Sequence, residues 1–343
     1  MDVGHDAAGI AANGTTRYSP NVPLTFDDLF ASPDHYLQSF DGEKAVFVPM
    51  DRAAYHRSIF LDHRISPAAE QSMALPISEL AARGSPAQPT SWIFHMAHCG
   101  STLLARALDD PNASLVLREP LTLRQTAIHG LPARLPLVLA MLGKRYRADA
   151  PTLVKANVPV NFLLPHLAAA DGAARAVLLY LPLRAYLLAI LRNENHRGWV
   201  RNVTTQLAPY VGDWSALGDA ERAAALWLAQ VEAFTATLAA MPNARALNAE
   251  FLFNDPVPVL KNAAAHLGIP IAPNAFEAIV AGPLFSTYSK NPSVAFDNAA
   301  RLARAAEVAA AIAPELAIAE DWVARHAKHP SPDAALVAAA LNR

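Results

Sequence analysis

Short apolar runs alternate along the chain with longer segments in which apolar residues recur at helical spacing. WIFHM at residues 92–96 is of strand type, and the apolar residues from Leu103 to Leu108 recur as they do along a helix. Short buried strands that alternate with helices are typical of a parallel sheet covered on both faces. The pattern predicts a three-layer α/β fold with a central parallel sheet of about five strands. The other four predicted strands are SLVL (114–117), TLVKA (152–156), AVLLYL (176–181) and ARALNAE (244–250).

The remaining segments predict the domain organisation. Residues 1–20 are rich in Gly, Ala, Asn and Thr without an apolar period, which indicates a flexible tail. Residues 21–90 predict an N-terminal extension packed on the core, and its last stretch, GSPAQPTS, is typical of a linker. The main domain then covers residues 91–343. Its Ala-rich end, from about residue 297 to 342, predicts one or two outer helices.

Composition and charge exclude several classes of function. The chain has 343 residues, 53% of them apolar, and a net charge of −2, so a sizeable core is expected but no global positive field. We therefore expect no nucleic-acid partner and no membrane partner. The single cysteine cannot form an internal disulfide and the N-terminus shows no leader pattern, which together predict a cytoplasmic protein.

The most apolar stretch of the chain, residues 176–191, is the candidate for a membrane-spanning segment. It is shorter than the roughly 20 residues that cross a bilayer, and it carries Pro182 and Arg184. We interpret it as a buried strand that runs into a buried helix.

The stretch HMAHCGSTLLARAL, residues 95–108, carries the candidate chemistry and leaves three readings open. A metal site at His95, His98 and Cys99 is disfavoured because successive strand residues point to opposite faces and no second ligand cluster follows, so we expect no metal. A catalytic Cys99 is disfavoured because the adjacent His98 would seldom face it. The third reading is a phosphate loop, and an ordinary glycine turn before a helix also stays possible.

The phosphate loop has a chemical rationale. Gly100 lets the backbone approach an anion closely, and Ser101 and Thr102 add hydroxyl donors. The stretch lacks the Gly-Lys-Ser/Thr sequence of NTP-hydrolysing loops, and AVLLYL ends without an aspartate for magnesium. This pattern disfavours an ATPase or a GTPase.

AHCGSTLL is similar in register to the P-loop-like nucleotide loop of sulfotransferases that use 3′-phosphoadenosine-5′-phosphosulfate (PAPS). That family's loop typically reads Pro-Lys/Arg-Ser-Gly-Thr-Thr-Trp/Leu-Leu. The resemblance implies a sulfotransferase fold in which the loop binds the donor nucleotide. His98 stands where the family has Lys or Arg, and a histidine there is expected to be partly cationic at neutral pH. The loop residues that match are His98, Cys99, Gly100, Ser101 and Thr102.

Two further stretches imply catalytic residues by the same resemblance. VKANVPVNFLLPHL is similar to the family's Lys-Thr-His-Leu-Pro segment, which makes Lys155 the group that stabilises the leaving phosphate and puts Asn157 where a histidine base stands. TLLARALDDPNASLVLREP looks like the protein-tyrosine sulfotransferase segment that carries a glutamate base, which falls on Glu119. Asn157 cannot take a proton near neutral pH but could orient the acceptor. Alternatively, Glu119 is a solvated loop acid and Lys155 reaches solvent.

LNAEFLFNDPVPVLKNAAAHLGIP looks like the family's Tyr-Glu-Asp-Leu stretch and the structural helix that follows it.

The binding site for the 3′-phosphate departs from the family pattern. Tyr180 and Leu188 occupy the positions of the usual arginine and serine. We expect Arg184, or Arg192, to reach this phosphate, together with Ser289 and Lys290 of the segment FSTYSKNPS. Arg184 could instead be a helix-start arginine paired with a surface acid.

The polar segment RNENHRGWVRN, residues 192–202, could form an acceptor-side wall in which Trp199 stacks on an aromatic or sugar face of the acceptor. The alternative for this segment is a solvated loop.

The resemblance implies transfer of a sulfuryl group from PAPS to a hydroxyl or amine acceptor, with PAP as product and without a metal. Glu119 would act as the base and Lys155 would stabilise the leaving group. Two alternatives stay open: an ATP-using, kinase-like enzyme, and a catalytically inactive member that serves as a nucleotide-binding or scaffold protein. A homodimer is possible because many soluble enzymes form one.

Overall fold

Three antiparallel strands of the N-terminal extension come first along the chain. The computed structural model describes residues 25–341, so the expected tail at residues 1–20 lies outside the described residues. The strands are β1 (His35–Asp41), β2 (Lys44–Pro49) and β3 (Met73–Pro76), with β2 in the centre. Buried Tyr36, Leu37 and Phe47 join these strands to the main hydrophobic core.

Five parallel strands form the centre of the fold. They are β4 (Thr90–His95), β5 (Val116–Arg118), β6 (Thr152–Lys155), β7 (Ala176–Tyr180) and β8 (Ala244–Asn248). Their order across the sheet is β5-β6-β4-β7-β8, and every neighbouring pair is parallel. The residues of β4, β6 and β7 are all buried, as expected for strands covered on both faces. The predicted α/β fold with a central five-stranded parallel sheet is confirmed.

A two-stranded hairpin, eighteen α-helices and two 3₁₀ helices complete the described part of the chain. The hairpin consists of β9 (Thr287–Tyr288) and β10 (Asn291–Ala295). Two 3₁₀ helices cover Pro132–Arg134 and Val158–Leu163. The α-helices are α1 (Phe26–Ala31), α2 (Arg52–Arg57), α3 (Ile77–Arg83), α4 (Ser101–Ala107), α5 (Leu121–Ile128), α6 (Leu135–Leu142), α7 (Leu164–Ala170), α8 (Leu183–Leu191), α9 (Glu194–Gln206), α10 (Ala208–Val211), α11 (Asp219–Ala240), α12 (Ala249–Asn254), α13 (Pro256–Leu267), α14 (Ala275–Ala281), α15 (Pro283–Ser286), α16 (Asn298–Ala311), α17 (Ala313–His326) and α18 (Ala334–Ala338).

Helix α11 is long and apolar enough to cross a membrane by composition alone. In this fold it packs against α8, α9 and α17, and it buries Trp227 and Phe234. The indole Nε1 of Trp227 donates a hydrogen bond to the Leu181 carbonyl, 2.9 Å away. These contacts make α11 a core helix that supports the chain just beyond β7.

Residues 194–206 form helix α9, so the alternative of a solvated loop for the segment 192–202 is wrong. The side chain of Asn193 caps the helix by accepting a hydrogen bond from the backbone N–H of His196, at 3.0 Å. Val200 and Val203 are buried and give the helix a narrow apolar stripe. The polar composition of the segment concealed this stripe.

The strand order creates a switch point between β4 and β7. The chain leaves β4 toward β5 on one side of the sheet and leaves β7 toward β8 on the other. Ligands of open α/β sheets bind in the crevice at the carboxyl ends of such strands. Beside this crevice β5 and β6 end in register, with Arg118 opposite Lys155.

Candidate functional site

The loop that follows β4 is held in an unusual backbone conformation. His98 and Gly100 both adopt positive φ angles, 58° and 79°. A Cβ added at Gly100 would lie 2.7 Å from Cζ of Phe253, so the backbone and this ring approach each other closely. The missing side chain at Gly100 therefore lets another group come close to the loop backbone, and in this structure that group is the Phe253 ring.

The side chain of Cys99 points into the core of the protein. Its thiol donates a hydrogen bond to the Met96 carbonyl at 2.9 Å, and its side chain is fully buried. Burial raises the pKa of this thiol to about 11, so it stays protonated and is not an activated nucleophile. Contact between Cys99 and a ligand would have to come from its backbone.

A cavity of about 630 Å³, here called the loop cavity, lies against this loop. The Thr102 hydroxyl at its wall is buried and has no hydrogen-bond partner within residues 25–341. An unpartnered buried hydroxyl is unusual and indicates a group that a ligand could satisfy. The walls include Phe253, Tyr288 and Phe296.

Cationic side chains surround the loop cavity. Arg192, Lys290 and Arg304 line it, and none of them has a carboxylate within ion-pair distance in the part of the chain that the structure describes. Arg184 also lines it but forms an exposed ion pair with Glu320 at 2.7 Å. Of the two alternatives for Arg184, binding of a phosphate or pairing with a surface acid, the structure shows the pairing with a surface acid.

Glu119 and Lys155 form an ion pair at the carboxyl ends of β5 and β6. The Lys155 ammonium donates to Oε1 of Glu119, and the backbone N–H of Glu119 donates to the Lys155 carbonyl at 2.7 Å. The Lys155 side chain is 0% exposed, so the alternative in which it reaches solvent is wrong. Glu119 has a φ of 57°, a strained conformation that concentrates at functional sites.

The ion pair fixes the charge state of Glu119. Burial acts to raise the pKa of this carboxyl, but the charge of Lys155 and its hydrogen bond to Glu119 outweigh burial and lower the pKa to about 2. Burial lowers the pKa of Lys155, and the carboxylate of Glu119 acts in the opposite direction. Glu119 is therefore ionised at neutral pH, a state in which it can accept a proton but only weakly.

A second cavity, of about 500 Å³, is here called the Glu119 cavity. Its walls include Glu119 and Asn157, whose Oδ1 is buried and lacks a partner among the described residues. Trp199 reaches the cavity from α9. Lys155 does not line this cavity or the loop cavity and lies fully buried beside Glu119.

His95 lines the Glu119 cavity with one free ring nitrogen. Its Nδ1 lies 2.7 Å from the Met96 carbonyl, which can only accept, so Nδ1 carries the proton. Its Nε2 is then an unprotonated acceptor, buried and without a partner within residues 25–341. Burial lowers the pKa of His95 to about 3, which keeps the imidazole neutral.

His98 stands between the two cavities. His98, His196 and Lys290 line both of them, and the two imidazoles stack with centroids 3.8 Å apart. Trp199 meets the His98 ring edge-on at 5.9 Å. Burial and then the neighbouring cationic groups lower the pKa of His98 to about 2, which disfavours the partial positive charge that the sequence predicts at neutral pH.

Comparison with known proteins gives similarity at the level of solved structures. No protein-family model matches the chain, and a comparison with curated proteins returns no match. A sulfotransferase from Alicyclobacillus acidocaldarius is similar with 15% identity and a TM-score of 0.37, over 69% of this chain and 96% of that one. The sulfotransferase domain from the curacin biosynthetic pathway is similar with 12% identity and a TM-score of 0.37, over 62% of this chain and 84% of the domain.

Both solved structures bear the name of the family that the sequence motifs resemble. Sequence identities and TM-scores this low do not reveal which reaction, if any, this chain catalyses. The function is therefore inferred from the residues of its own site.

The structure brings the sequence-predicted residues to one edge of the sheet. The loop cavity collects the stretch from His98 to Thr102 together with Arg184, Ser289 and Lys290. The Glu119 cavity collects Glu119, Asn157 and Trp199. Within residues 25–341 no three His, Cys, Asp or Glu side chains are grouped as metal ligands.

Sequence reasoning missed several residues of the site, namely His196, Arg124 and Arg304, and considered His95 only as a metal ligand. His95 had one signal, a polar residue at the end of an otherwise apolar strand. No local sequence signal marks His196, Arg124 or Arg304 as site residues, because only the packing of α9, α5 and α16 brings them to the cavities.

Proposed function

We propose that the protein transfers a sulfuryl group from PAPS to a hydroxyl or amine acceptor. One observation carries this proposal: two cavities meet at His98. The loop cavity is lined by cationic side chains and by the loop that follows β4, and the other cavity contains the carboxylate of Glu119. A transferase for two substrates needs such an arrangement, in which donor and acceptor meet at a shared wall.

The residues of the loop cavity suit a nucleotide with several phosphates. The backbone from Gly100 to Thr102 and the unpartnered Thr102 hydroxyl would bind the 5′-phosphate. Arg192, Lys290 and Arg304 supply cations that lack a carboxylate partner among the described residues and would bind the 3′-phosphate. Arg184 would join them only if it left Glu320.

The aromatic rings of Phe253, Tyr288 and Phe296 offer apolar faces for a base.

The Glu119 cavity would perform the proton chemistry. PAPS, when bound, supplies a sulfuryl group on a phosphate leaving group. Glu119 would take the proton from the acceptor as the new bond to sulfur forms in line with the bond to phosphate that breaks. Its Oε1 accepts from Lys155, so Oε2 is the oxygen available to the acceptor. His95 Nε2 and Asn157 are further groups that could orient the acceptor.

Lys155 would have two tasks in this reaction. Its positive charge keeps Glu119 ionised in the free protein. As charge develops on the leaving phosphate, the same ammonium, within surroundings of low polarity, would stabilise it. A shift of Lys155 toward the phosphate would weaken its bond to Glu119 and make that carboxylate a stronger base.

A binding or scaffold role is the second candidate, and two observations favour it. Oε1 of Glu119 is already bound to Lys155, which lowers the pKa of this carboxyl and makes it a weak base, and a histidine, His98, stands where the family has Lys or Arg. An ATP-using, kinase-like enzyme is less consistent with the loop, which lacks the lysine that would follow Gly100.

Thermal unfolding with PAP, with ADP and magnesium, and without ligand tests the proposal. PAP without magnesium should raise the melting temperature, since a ligand at 100 times its Kd stabilises by about 2.7 kcal/mol. Arg192→Gln should reduce this stabilisation. Arg325→Gln should not, because Arg325 forms an exposed ion pair with Asp321 away from both cavities. Stabilisation only by ADP with magnesium, or by no nucleotide, would contradict the proposal.

A further inference from the structure

Arg124 is a cation of the Glu119 cavity for which the transfer reaction gives no role. It lies in the first turn of α5, half-buried, and its side chain lines the cavity. Nη2 donates to Oε1 of Gln206 at 3.2 Å. No carboxylate lies within ion-pair distance of Arg124 in the described part of the chain. The guanidinium therefore faces the cavity with its charge uncompensated.

The other charges of this cavity are already balanced or lie elsewhere. Arg64 forms a two-pronged contact with Asp62, with nitrogen–oxygen distances of 2.9 and 2.5 Å. Glu119 is paired with Lys155. Lys290 also lines the cavity, but at the junction with the loop cavity, where donor phosphates would bind. Arg124 is thus the cation that is left for a ligand of the Glu119 cavity itself.

The neighbours of Arg124 extend its set of hydrogen-bond donors. Gln206 and Asn202 lie one turn apart on α9, and both line the cavity. Gln206 uses its carbonyl oxygen to accept from Arg124, so its amide NH₂ stays available as a donor. A guanidinium fork beside amide donors matches the oxygens of a carboxylate or of a sulfate ester.

The chain sets the spacing between this anion subsite and the reacting end. Glu119 and Arg124 are five positions apart, and Pro120 and the first turn of α5 connect them. Five residues span at most about 18 Å, and a helical turn shortens this distance. One small molecule can therefore place a hydroxyl or amine at Glu119 and an acidic group at Arg124.

We propose that the acceptor is an acidic molecule, one that carries a carboxylate or a sulfate ester in addition to the hydroxyl or amine that receives the sulfuryl group. Arg124, with Gln206 and Asn202, binds the acidic group and orients the acceptor toward Glu119. This inference rests on the proposed function for the reaction but concerns the binding of the acceptor only. Neutral acceptors of the same shape leave the Arg124 charge without a partner and bind more weakly.

Ligand-observed NMR on the full chain, with and without PAP, tests this inference by matched pairs of probes. 4-Hydroxyphenylacetate is compared with 4-hydroxyphenylacetamide, and 3-hydroxybenzoate with 3-hydroxybenzamide. Hydroquinone monosulfate is the sulfate arm, with 4-methoxyphenol as its neutral match. We expect at least one acid to bind about tenfold more tightly than its neutral match. The arm that shows this preference identifies carboxylate or sulfate.

Arg124→Gln is the decisive variant and Arg325→Gln its surface control. The preference for the acid should fall to about twofold or less in Arg124→Gln and persist in Arg325→Gln. Stabilisation of Arg124→Gln by PAP should match that of the unsubstituted protein, which shows that the variant is folded and that its donor cavity is intact. Equal binding of acids and neutral matches, no binding of any acid, or an unchanged preference in Arg124→Gln would overturn the inference.

The failure of PAP to stabilise any variant would count against the proposed function instead. The dependence of acid binding on Arg124 would still decide the present inference.

Discussion

Replacing Lys155 by methionine removes the buried cation of the central ion pair while it keeps an unbranched side chain of similar length. Lys155 is 0% exposed and Glu119 16% exposed, so the variant leaves a carboxylate in a site of low polarity without its partner. The presence of Lys155 and its neighbours lowers the pKa of Glu119 from 4.5 to about 2. At about 1.4 kcal/mol per pH unit, this difference corresponds to about 3 kcal/mol. Loss of one partner of a buried ion pair generally costs about 3–5 kcal/mol.

Urea unfolding followed by circular dichroism at pH 7 measures this cost. We expect Lys155→Met to lose about 3 kcal/mol of unfolding free energy and the double variant Lys155→Met/Glu119→Gln to recover most of it, because the amide is neutral. A loss below about 1 kcal/mol, or a double variant no more stable than Lys155→Met, would show that Lys155 does not stabilise an ionised Glu119.

The dependence of stability on pH provides an independent readout of the same pair. The folded-state pKa of Glu119 lies below its unfolded value, so its contribution is complete above pH 4.5 and is lost as the pH falls toward 2. Lys155→Met should abolish this loss, since the carboxyl then has no partner that favours its charged form. An unchanged acid transition in Lys155→Met would show that Glu119 is not held ionised by Lys155.

Three further predictions concern the loop after β4. His98→Lys should bind PAP about tenfold more tightly at pH 8. Calorimetry that shows equal PAP affinity for His98→Lys and for the unsubstituted protein would contradict the view that a neutral His98 weakens phosphate binding. Gly100→Ala should cost about 1–2 kcal/mol of unfolding free energy and abolish PAP binding, because φ is 79° and the new Cβ would meet Phe253; undiminished stability and affinity would argue against a close-approach loop. Cys99 should react with iodoacetamide only at the rate of unfolding, because its thiol is buried with a pKa of about 11, and mass spectrometry would reveal rapid labelling if that were wrong.

The sheet and its loop could be predicted from the sequence because its central strands, β4 and β7, contain short continuous apolar runs. WIFHM and AVLLYL match β4 and β7 closely. Glu119 and Lys155 could each be placed at a strand end, but their ion pair depends on the neighbouring positions of β5 and β6 in register. Nothing local in the chain specifies that contact.

The charge of His98 and the roles of the arginines could not be predicted, for a similar reason. The pKa of His98 is low because the residue is partly buried and lies against His196, a neighbour that helix α9 supplies from 98 positions along the chain. Arg184 forms its ion pair with Glu320 of α17, whereas Arg124 forms none with any described residue. Only tertiary packing distinguishes a paired arginine from an unpaired one.

A crystal structure of the complex with PAP would show where the donor nucleotide binds. We expect electron density for the 5′-phosphate at the backbone N–H groups from Gly100 to Thr102, with the Thr102 hydroxyl as a donor and the 3′-phosphate near Arg192, Lys290 or Arg304. A loop cavity that stays vacant at saturating PAP, or nucleotide density at another edge of the sheet, would contradict the proposed function.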